Sequence, residues 1–189
     1  MTYECPNIMD VILEKTFSDM LMTPFFMNKF RKRVKLRGDE NILEFGCGAG
    51  NFSRRLVKLI ENGKLNCVDI SEFWIEKAKN RLKGRDNVRF LLGDIRDVIP
   101  KEERFDLIFI HLVLHDIPKS ERQGIVNILA ERLEENGRIY IGEPINESHG
   151  MPVEEIRDIM GKSGLKEDDH YYNKIFPSWR SFNGIYSKA

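Results

Sequence analysis

The sequence has few cysteines, no net charge and no long apolar run. Three cysteines are scattered over 189 residues without a Cys-x-x-Cys pair, a usage typical of reduced, cytoplasmic proteins. Thirty basic and thirty acidic residues cancel, so composition provides no overall attraction to nucleic acid or to an anionic membrane. No apolar stretch approaches the length of a membrane span, and the first residues lack the basic and apolar segments of an export signal. We therefore expect a cytoplasmic protein without a membrane span.

The distribution of apolar residues from residue 41 onwards predicts alternating strands and helices. We expect strands at 41–45, 64–70, 88–92, 105–111 and 138–142, with helices at 51–61, 71–82, 119–134 and 152–161. The last two predicted strands, 170–176 and 182–187, are separated by a turn too short for a helix, so they must pair as an antiparallel hairpin. The pattern predicts an α/β fold with a doubly wound, mostly parallel seven-stranded sheet, helices on both faces and a terminal antiparallel hairpin.

The segment before this alternation has a different character. Residues 8–36 read as one or two helices, and Pro24 favours the start of the second. We divide the chain into an N-terminal helical cap, 1–37, and a main domain, 38–189. The cap is rich in Met and Phe, which either pack on the main domain or also line a substrate pocket. Six basic residues lie within 29–37; we favour a solvated helix face over a grip on RNA or on a phosphorylated substrate.

A glycine-rich turn follows the first predicted strand. Gly46, Gly48 and Gly50 alternate with other residues, and Glu44 precedes them. The dinucleotide fingerprint would place its third glycine at position 51, which is Asn51. A carboxylate at position 44 would repel a pyrophosphate, whereas it suits a ligand with a positively charged end. The pattern therefore favours a cationic, phosphate-free nucleoside ligand.

The run Glu44-Phe45-Gly46-Cys47-Gly48-Ala49-Gly50 resembles motif I of the class I S-adenosylmethionine-dependent methyltransferases. The histidine-containing stretch 109–118 resembles the small-molecule members of methyltransferase type 11, such as those of ubiquinone and menaquinone biosynthesis. The Asn/Asp-Pro-Pro-Tyr/Phe motif of many amino-group methyltransferases is absent there. The resemblance implies methyl transfer from S-adenosylmethionine to a small-molecule acceptor by in-line displacement, with S-adenosylhomocysteine as product.

The carboxyl ends of the next two predicted strands provide further cofactor contacts. Asp69 lies nineteen residues after Gly50 and is expected to accept hydrogen bonds from both ribose hydroxyls. The resemblance implies that Ile70 packs on the adenine, that Asp94 accepts from the adenine amino group, and that the Ile95 backbone N–H donates to the ring. A helix cap at Asp69 and a loop turn at Asp94 are the structural alternatives.

The acceptor side is less clearly marked. His111 is expected to line the pocket near the methionine end of the cofactor and is the candidate base; a histidine that is only hydrogen-bonded in the loop is an equal alternative. His115 and Asp116 are expected to start the next helix, and we expect no metal site. Glu143, at the end of the fifth strand, either orients a polar acceptor or caps a turn.

Three other functions are compatible with these features. An NAD-dependent oxidoreductase would use the same fold, although Glu44 and Asn51 argue against it. A methyltransferase acting on protein or RNA would use the basic stretch, although the neutral chain gives nucleic acid little support. A non-catalytic scaffold with a methyltransferase fold is the third. The sequence specifies neither the acceptor nor the oligomeric state.

Overall fold

Helices and strands alternate along the chain in the order that the sequence predicts, with one further short helix, Ile95–Val98, that it does not predict. The computed structural model describes residues 23–145, 150–176 and 179–189. The chain divides into two compact units, the first ending at Asp94 and the second beginning at Ile95. The helix predicted to begin at residue 8 and the turn residues 177–178 lie outside the described residues.

The three strands of the first unit are parallel and follow the order β3-β2-β1. The elements described in this unit are α1 (Thr23–Val34), β1 (Asn41–Phe45), α2 (Ser53–Leu56), β2 (Lys64–Asp69), α3 (Glu72–Arg81) and β3 (Val88–Leu92). Phe45 pairs with Val68, and Asp69 pairs with Leu92. The register therefore brings the carboxyl ends of these three strands to one edge, where ligands of open α/β sheets bind.

The second unit contains the remaining strands in the order β4-β5-β7-β6. Its described elements are α4 (Ile95–Val98), β4 (Phe105–His111), a 3-10 turn (Leu114–Asp116), α5 (Lys119–Glu131), β5 (Leu133–Pro144), α6 (Val153–Lys162), β6 (Leu165–Phe176) and β7 (Trp179–Lys188). β4 and β5 are parallel, whereas β7 runs antiparallel to both β5 and β6. The predicted α/β class, with a mostly parallel seven-stranded sheet and a terminal antiparallel hairpin, is confirmed.

The strand cores are apolar, as the sequence patterns require. On β4, the side chains of Leu107, Ile108, Phe109 and Ile110 are all buried, as is typical of a central strand of a parallel sheet. On the described part of the chain, no helix is both long enough and apolar enough to cross a membrane.

Two predicted helices are shorter in the structure than in the sequence analysis. The helix predicted at 51–61 is limited to α2, because the Leu59 N–H bonds to the Leu56 carbonyl at 2.8 Å and tightens the chain into a turn. The helix predicted at 119–134 ends at Glu131.

The strand after α5 begins earlier than predicted. Asn136 and Gly137, a pair typical of a helix end, lie within β5. The β4–β5 register shifts at this point, and a Cβ at Gly137 would lie 2.8 Å from the Phe105 carbonyl oxygen. Gly137 thus permits a close approach of two strands rather than a helix stop.

Candidate active site

The glycine loop after β1 adopts a backbone that favours glycine. Gly46, Gly48 and Gly50 have φ values of +72°, +51° and +78°, in the left-handed region that residues with a Cβ rarely adopt. The Gly46 N–H donates to the Val68 carbonyl at 2.9 Å, which holds the loop against the end of β2. A Cβ at Gly50 would lie only 3.2 Å from the Ala78 Cα, so the loop also packs closely on α3.

Asp69 lies at the end of β2 and is oriented by the backbone. Its carboxylate accepts the Gly48 N–H at 2.8 Å and the Ser71 N–H at 2.9 Å. Burial raises the pKa of the Asp69 carboxyl, although these backbone hydrogen bonds act in the opposite direction. A carboxylate has about four acceptor positions, so this group retains capacity for ligand hydroxyls. The N-cap residue of α3 is Ser71, so the bond from its N–H to Asp69 closes the turn that leads into the helix and does not cap the helix itself.

Apolar side chains beside Asp69 are exposed. Ile70 is 55% exposed, and Leu92, the register partner of Asp69 on β3, is 47% exposed. Phe73, in the first turn of α3, is 37% exposed. Apolar side chains gathered at the carboxyl ends of parallel strands fit the flat face of a nucleobase. The contact of Ile70 with an adenine remains a prediction, and the exposure of Leu92 makes it a further candidate for such a contact.

Glu44 lies behind the glycine loop rather than at its surface. Only 3% of the residue is exposed, and its carboxyl accepts a hydrogen bond from the Ser53 hydroxyl and lies 3.7 Å from the Cys67 sulfur. Burial raises the pKa of Glu44 to about 8, despite the opposing hydrogen bonds from Ser53 and Cys67. At neutral pH the group is therefore mostly protonated, which weakens the electrostatic argument that its charge selects a cationic ligand.

Asp94 and Ile95 follow β3. Asp94 is half-buried and closes the first unit, whereas the Ile95 side chain is 2% exposed and opens α4 in the second unit. Gly93 has a φ of +135° and its N–H bonds to the Asp69 carbonyl at 2.9 Å. The expected contacts of Asp94 and Ile95 with an adenine remain predictions.

In the second unit, His111 ends β4 as a buried, neutral ring. The residue is 7% exposed, and its ring stacks parallel to that of Tyr140 with the centroids 6.3 Å apart. Burial, with a smaller contribution from the charge of His115, lowers the pKa of His111 to about 3. A Cβ at Gly142 would lie 2.6 Å from the His111 ring, so glycine at that position provides the space for it. A histidine with this pKa is a poor proton acceptor near neutral pH.

The carboxylate of Glu143 holds the turn that follows β4. The group is fully buried, and one oxygen, Oε1, accepts the N–H groups of Val113 and Leu114 at 3.0 and 2.8 Å. The other oxygen, Oε2, accepts the His115 N–H at 3.4 Å. Leu112, just before these groups, has a φ of +59°. Of the two roles expected for Glu143, the structure supports the capping of a turn, because successive N–H groups form a nest around the carboxylate.

His115 is the functional candidate that sequence analysis missed. Its Nδ1 lies 2.7 Å from Glu143 Oε2, and because a carboxylate only accepts, Nδ1 carries the proton. The other ring nitrogen lies 3.3 Å from Asp116 Oδ2. Burial lowers the pKa of His115, but the hydrogen bond and charge of Glu143 outweigh it, so the net shift is upward. His115 and Asp116 lie in a 3-10 turn rather than at the start of a helix.

The geometry of the two units defines a class of protein: an α/β fold with a glycine loop after β1, an oriented carboxylate after β2 and a terminal antiparallel hairpin. A protein family described as a methyltransferase domain matches residues 36–180, so the chain belongs to this methyltransferase family. The predicted class, the S-adenosylmethionine-dependent methyltransferases of class I, is confirmed, and S-adenosylmethionine is the cofactor of that class.

Individual relatives agree with this assignment. The chain is 36% identical over 99 residues to malonyl-[acyl-carrier protein] O-methyltransferase 1 of Ilyobacter polytropus, a match covering 52% of this chain and 36% of that protein. It is 30% identical over 135 residues to the protein-L-isoaspartate O-methyltransferase of Nitrobacter winogradskyi, covering 70% and 56% of the two chains. The chain therefore spans only about a third to a half of the length of these relatives.

A solved structure shares the fold. The N-methyltransferase NodS of Bradyrhizobium japonicum WM9, solved in complex with S-adenosyl-L-homocysteine, is similar to this chain with a TM-score of 0.78. The match covers 92% of this chain and 90% of that one at 18% sequence identity. At this identity the similarity demonstrates the fold alone.

Proposed function

We propose that this protein transfers the methyl group of S-adenosylmethionine to a small-molecule acceptor in the cytoplasm. The main domain, 38–189, carries the reaction; of the expected cap, 1–37, the structure describes residues 23–37. The observation that carries the proposal is the carboxylate of Asp69, which is held by the Gly48 N–H at 2.8 Å beside the exposed Ile70. A fixed acceptor next to an exposed apolar side chain matches a ribose joined to a nucleobase.

The cofactor contacts are assigned residue by residue. Asp69 accepts the ribose hydroxyls, and Ile70 covers one face of the adenine. Asp94 and the Ile95 N–H bind the edge of the base. The loop glycines allow close approach of the backbone to the ligand. For Glu44, the contact with Ser53 on α2 favours a role in positioning the loop and α2 over direct contact with the cofactor.

S-adenosylmethionine supplies an electrophilic methyl group on a sulfonium. The protein's task is to align a nucleophile with that group and to accept a proton where the nucleophile carries one. His115 suits the second task better than His111, provided that the acceptor displaces Asp116, whose Oδ2 lies 3.3 Å from the His115 Nε2. Its Nδ1–H is anchored on Glu143 at 2.7 Å, so the imidazolium formed on proton uptake would be stabilised by a buried carboxylate. His111, whose pKa is lowered to about 3, stays neutral and stacks on Tyr140.

A small acceptor is favoured by the names of the relatives. The similar NodS protein is an N-methyltransferase, and the Ilyobacter protein methylates a malonyl group carried on a protein. The name of the Ilyobacter protein describes transfer to a small acyl group on a carrier protein, whereas the name N-methyltransferase states only that a nitrogen is methylated. The protein-L-isoaspartate O-methyltransferase relative keeps a protein acceptor as the second candidate.

Calorimetric titration with S-adenosylhomocysteine tests the cofactor assignment. Asp69→Ala should weaken binding at least about tenfold, because hydrogen bonds to a charged acceptor are worth roughly 1.5–3 kcal/mol. Asp86→Ala removes an exposed aspartate between α3 and β3 and should leave the affinity unchanged. Binding of NAD without binding of S-adenosylhomocysteine would instead identify an oxidoreductase. Equal affinities for Asp69→Ala and the wild type would show that the ribose contact lies elsewhere.

A further inference from the structure

Two rows of residues cross one face of the sheet in the second unit, near the carboxyl ends of β4, β5 and β6. Register partners on neighbouring strands point to the same face of a sheet. The first row runs from His111 on β4 through Gly142 and Asn183 to Tyr171 on β6. A Cβ at Gly142 would lie 2.6 Å from the His111 ring and 3.0 Å from the Asn183 Oδ1, so these two side chains approach each other over the glycine.

The second row lies two residues closer to the ends of β5 and β6. It consists of Pro144 on β5, Ser181 on β7 and Asn173 on β6. Ser181 is fully buried, and Asn173 is 1% exposed. We call Ser181 and Asn173 the polar pair. They are register partners, yet no hydrogen bond joins their side chains.

The polar side chain next to this pair, Asn183, is bonded within the protein. The Tyr140 hydroxyl donates to the Asn183 Oδ1 at 2.8 Å, and the Asn183 Nδ2 donates to the Ser181 Oγ at 3.1 Å. The Ser181 hydroxyl accepts this bond and keeps its own proton for donation. Among the residues that the structure describes, none accepts that proton.

Asn173 has no hydrogen bond at either end of its amide. Neither its Oδ1 nor its Nδ2 has a partner among the residues that the structure describes, and both atoms are shielded from solvent. A buried amide in this state costs stability. Asn66 on β2 shows the usual solution: it is 4% exposed, and its Nδ2 donates to the Asn41 Oδ1 at 2.8 Å and to the Ile42 carbonyl at 3.1 Å. The fold therefore satisfies one buried strand asparagine and leaves the amide of the other open.

We propose that Asn173 and Ser181 bind a neutral polar group of the methyl acceptor, one that carries a hydrogen-bond donor beside a hydrogen-bond acceptor, as a primary carboxamide does. Asn173 offers a hydrogen-bond acceptor in Oδ1 and a donor in Nδ2, and the Ser181 hydroxyl offers a second donor. A carboxamide presents the complementary N–H and carbonyl groups. The inference rests on the proposed function only in assigning this occupant to the methyl acceptor.

The two rows favour a neutral ligand over a charged one. None of their described residues carries a charged side chain, because burial keeps His111 neutral by lowering its pKa to about 3. A carboxylate or an ammonium bound at the polar pair would be buried without an opposite charge in these rows, which is costly. A ligand that lacks hydrogen-bonding groups would leave the amide open, so the pair would also select against apolar analogues.

The binding test is calorimetric titration of the full chain with benzamide, in the presence of saturating S-adenosylhomocysteine. Wild-type protein should bind benzamide, and it should bind benzoate and benzylamine, which are charged at neutral pH, at least about tenfold more weakly. Asn173→Leu removes both ends of the amide and should weaken benzamide binding at least about tenfold. The matched control is Asn66→Leu, which should leave the benzamide affinity unchanged. Both variants should keep the wild-type affinity for S-adenosylhomocysteine.

The stability test compares the same two variants without ligand. Asn173→Leu should raise the thermal midpoint by about 2–4 °C, because it removes a buried amide without partners. Asn66→Leu should lower the midpoint by at least about 2 °C, because its amide is bonded. If Asn173→Leu fails to fold, Ser181→Ala provides the second binding test and should weaken benzamide binding about fivefold, the worth of one neutral hydrogen bond.

The outcomes separate this inference from the proposed function. Absence of benzamide binding by wild-type protein that binds S-adenosylhomocysteine would overturn the inference alone. So would a lowered midpoint in Asn173→Leu with unchanged benzamide binding, which would mean that a buried water only satisfies the amide. Absence of S-adenosylhomocysteine binding would contradict the proposed function. In that case a lowered midpoint in Asn173→Leu would still overturn the open polar pair, and a raised one would support it.

Discussion

The glycine loop after β1 and the turn after β4 are held in the same way, but the carboxylate that holds the loop is more exposed than the one that holds the turn. Each follows a parallel strand, and each is held by a carboxylate at the end of a strand within the same unit. Asp69 accepts the Gly48 N–H at 2.8 Å, and Glu143 accepts the Leu114 N–H at 2.8 Å. Asp69 is half-buried, whereas Glu143 is fully buried. Asp69 can therefore still accept hydrogen bonds from a ligand, whereas Glu143 accepts its hydrogen bonds from groups of the protein.

The backbones of the two regions differ in a related way. Glycine occupies the left-handed positions of the loop, including Gly50 at +78°, whereas a leucine, Leu112, occupies that of the turn at +59°. A non-glycine residue in this conformation costs about 1–2 kcal/mol, which the bonds of Glu143 to the turn must offset. The loop needs no such compensation. Its glycines leave space for a ligand, while the turn depends on one buried acceptor.

Replacement of that acceptor should have the largest effect. Glu143→Ala would leave the N–H groups of Val113 and Leu114 and the Nδ1–H of His115 without their acceptor inside the protein. We expect a loss of about 3–5 kcal/mol in the free energy of unfolding, measured by urea denaturation at pH 7. Glu131→Ala, which removes an exposed glutamate, should cost less than about 1 kcal/mol. Similar losses in the two variants would mean that Glu143 does not hold the turn.

A Cβ in the glycine loop should have the next largest effect. Gly50→Ala adds a Cβ 3.0 Å from Leu82 Cδ1 and 3.2 Å from the Ala78 Cα, at a φ of +78°. Backbone strain and overpacking should together cost about 3 kcal/mol. Gly84→Ala is the matched control, because its φ of +81° is similar but nothing lies within 4 Å of the added Cβ. It should cost about 1 kcal/mol; equal losses in thermal or urea unfolding would show that packing on α3 is unimportant.

The elements on which these regions stand were largely predictable from local sequence. The strands at 41–45, 88–92 and 105–111 follow directly from short apolar runs, and the observed bounds agree. The helix ends were less predictable. Asn136 and Gly137 have the composition of a helix stop, but the close approach of Gly137 to Phe105 decides their conformation, and no local pattern encodes that approach.

The chemistry at the end of β4 was predictable in position but not in detail. The sequence directed attention to His111 because it ends the strand, yet the contact that distinguishes the two histidines joins His115 to Glu143, 28 residues away. For the same reason, the sequence alone does not decide between the two roles expected for Glu143. A strand-end carboxylate faces either a ligand or a loop, and only the path of the loop decides which. His-Asp after one strand and Glu-Pro at the end of the next are the local signals from which this pairing could have been found.

The smallest expected effect is the pH dependence of stability that Glu44 contributes. This residue lies on the side of the glycine loop that faces the protein interior. Burial raises the pKa of Glu44 from 4.5 to about 8, so between these values the folded protein holds a proton that the unfolded chain releases. The stability contributed by this group is therefore present at low pH and is lost as the pH rises toward 8. One proton corresponds to a slope of about 1.4 kcal/mol per pH unit. Glu44→Gln, which keeps an oxygen for the Ser53 hydroxyl, should remove that slope.

Urea unfolding at pH 5.5, 6.5 and 7.5 measures the slope in wild type and variant. The difference in slope isolates Glu44, because other titrating groups such as His115 contribute to both proteins. Glu61→Gln removes an exposed glutamate and should give a curve parallel to the wild type. Parallel curves for Glu44→Gln would mean that the Glu44 carboxyl is ionised in the folded protein. In that case a buried, charged carboxylate would hold the glycine loop from the interior, as Glu143 holds the turn. Only the partial exposure of Asp69 would then distinguish the loop from the turn.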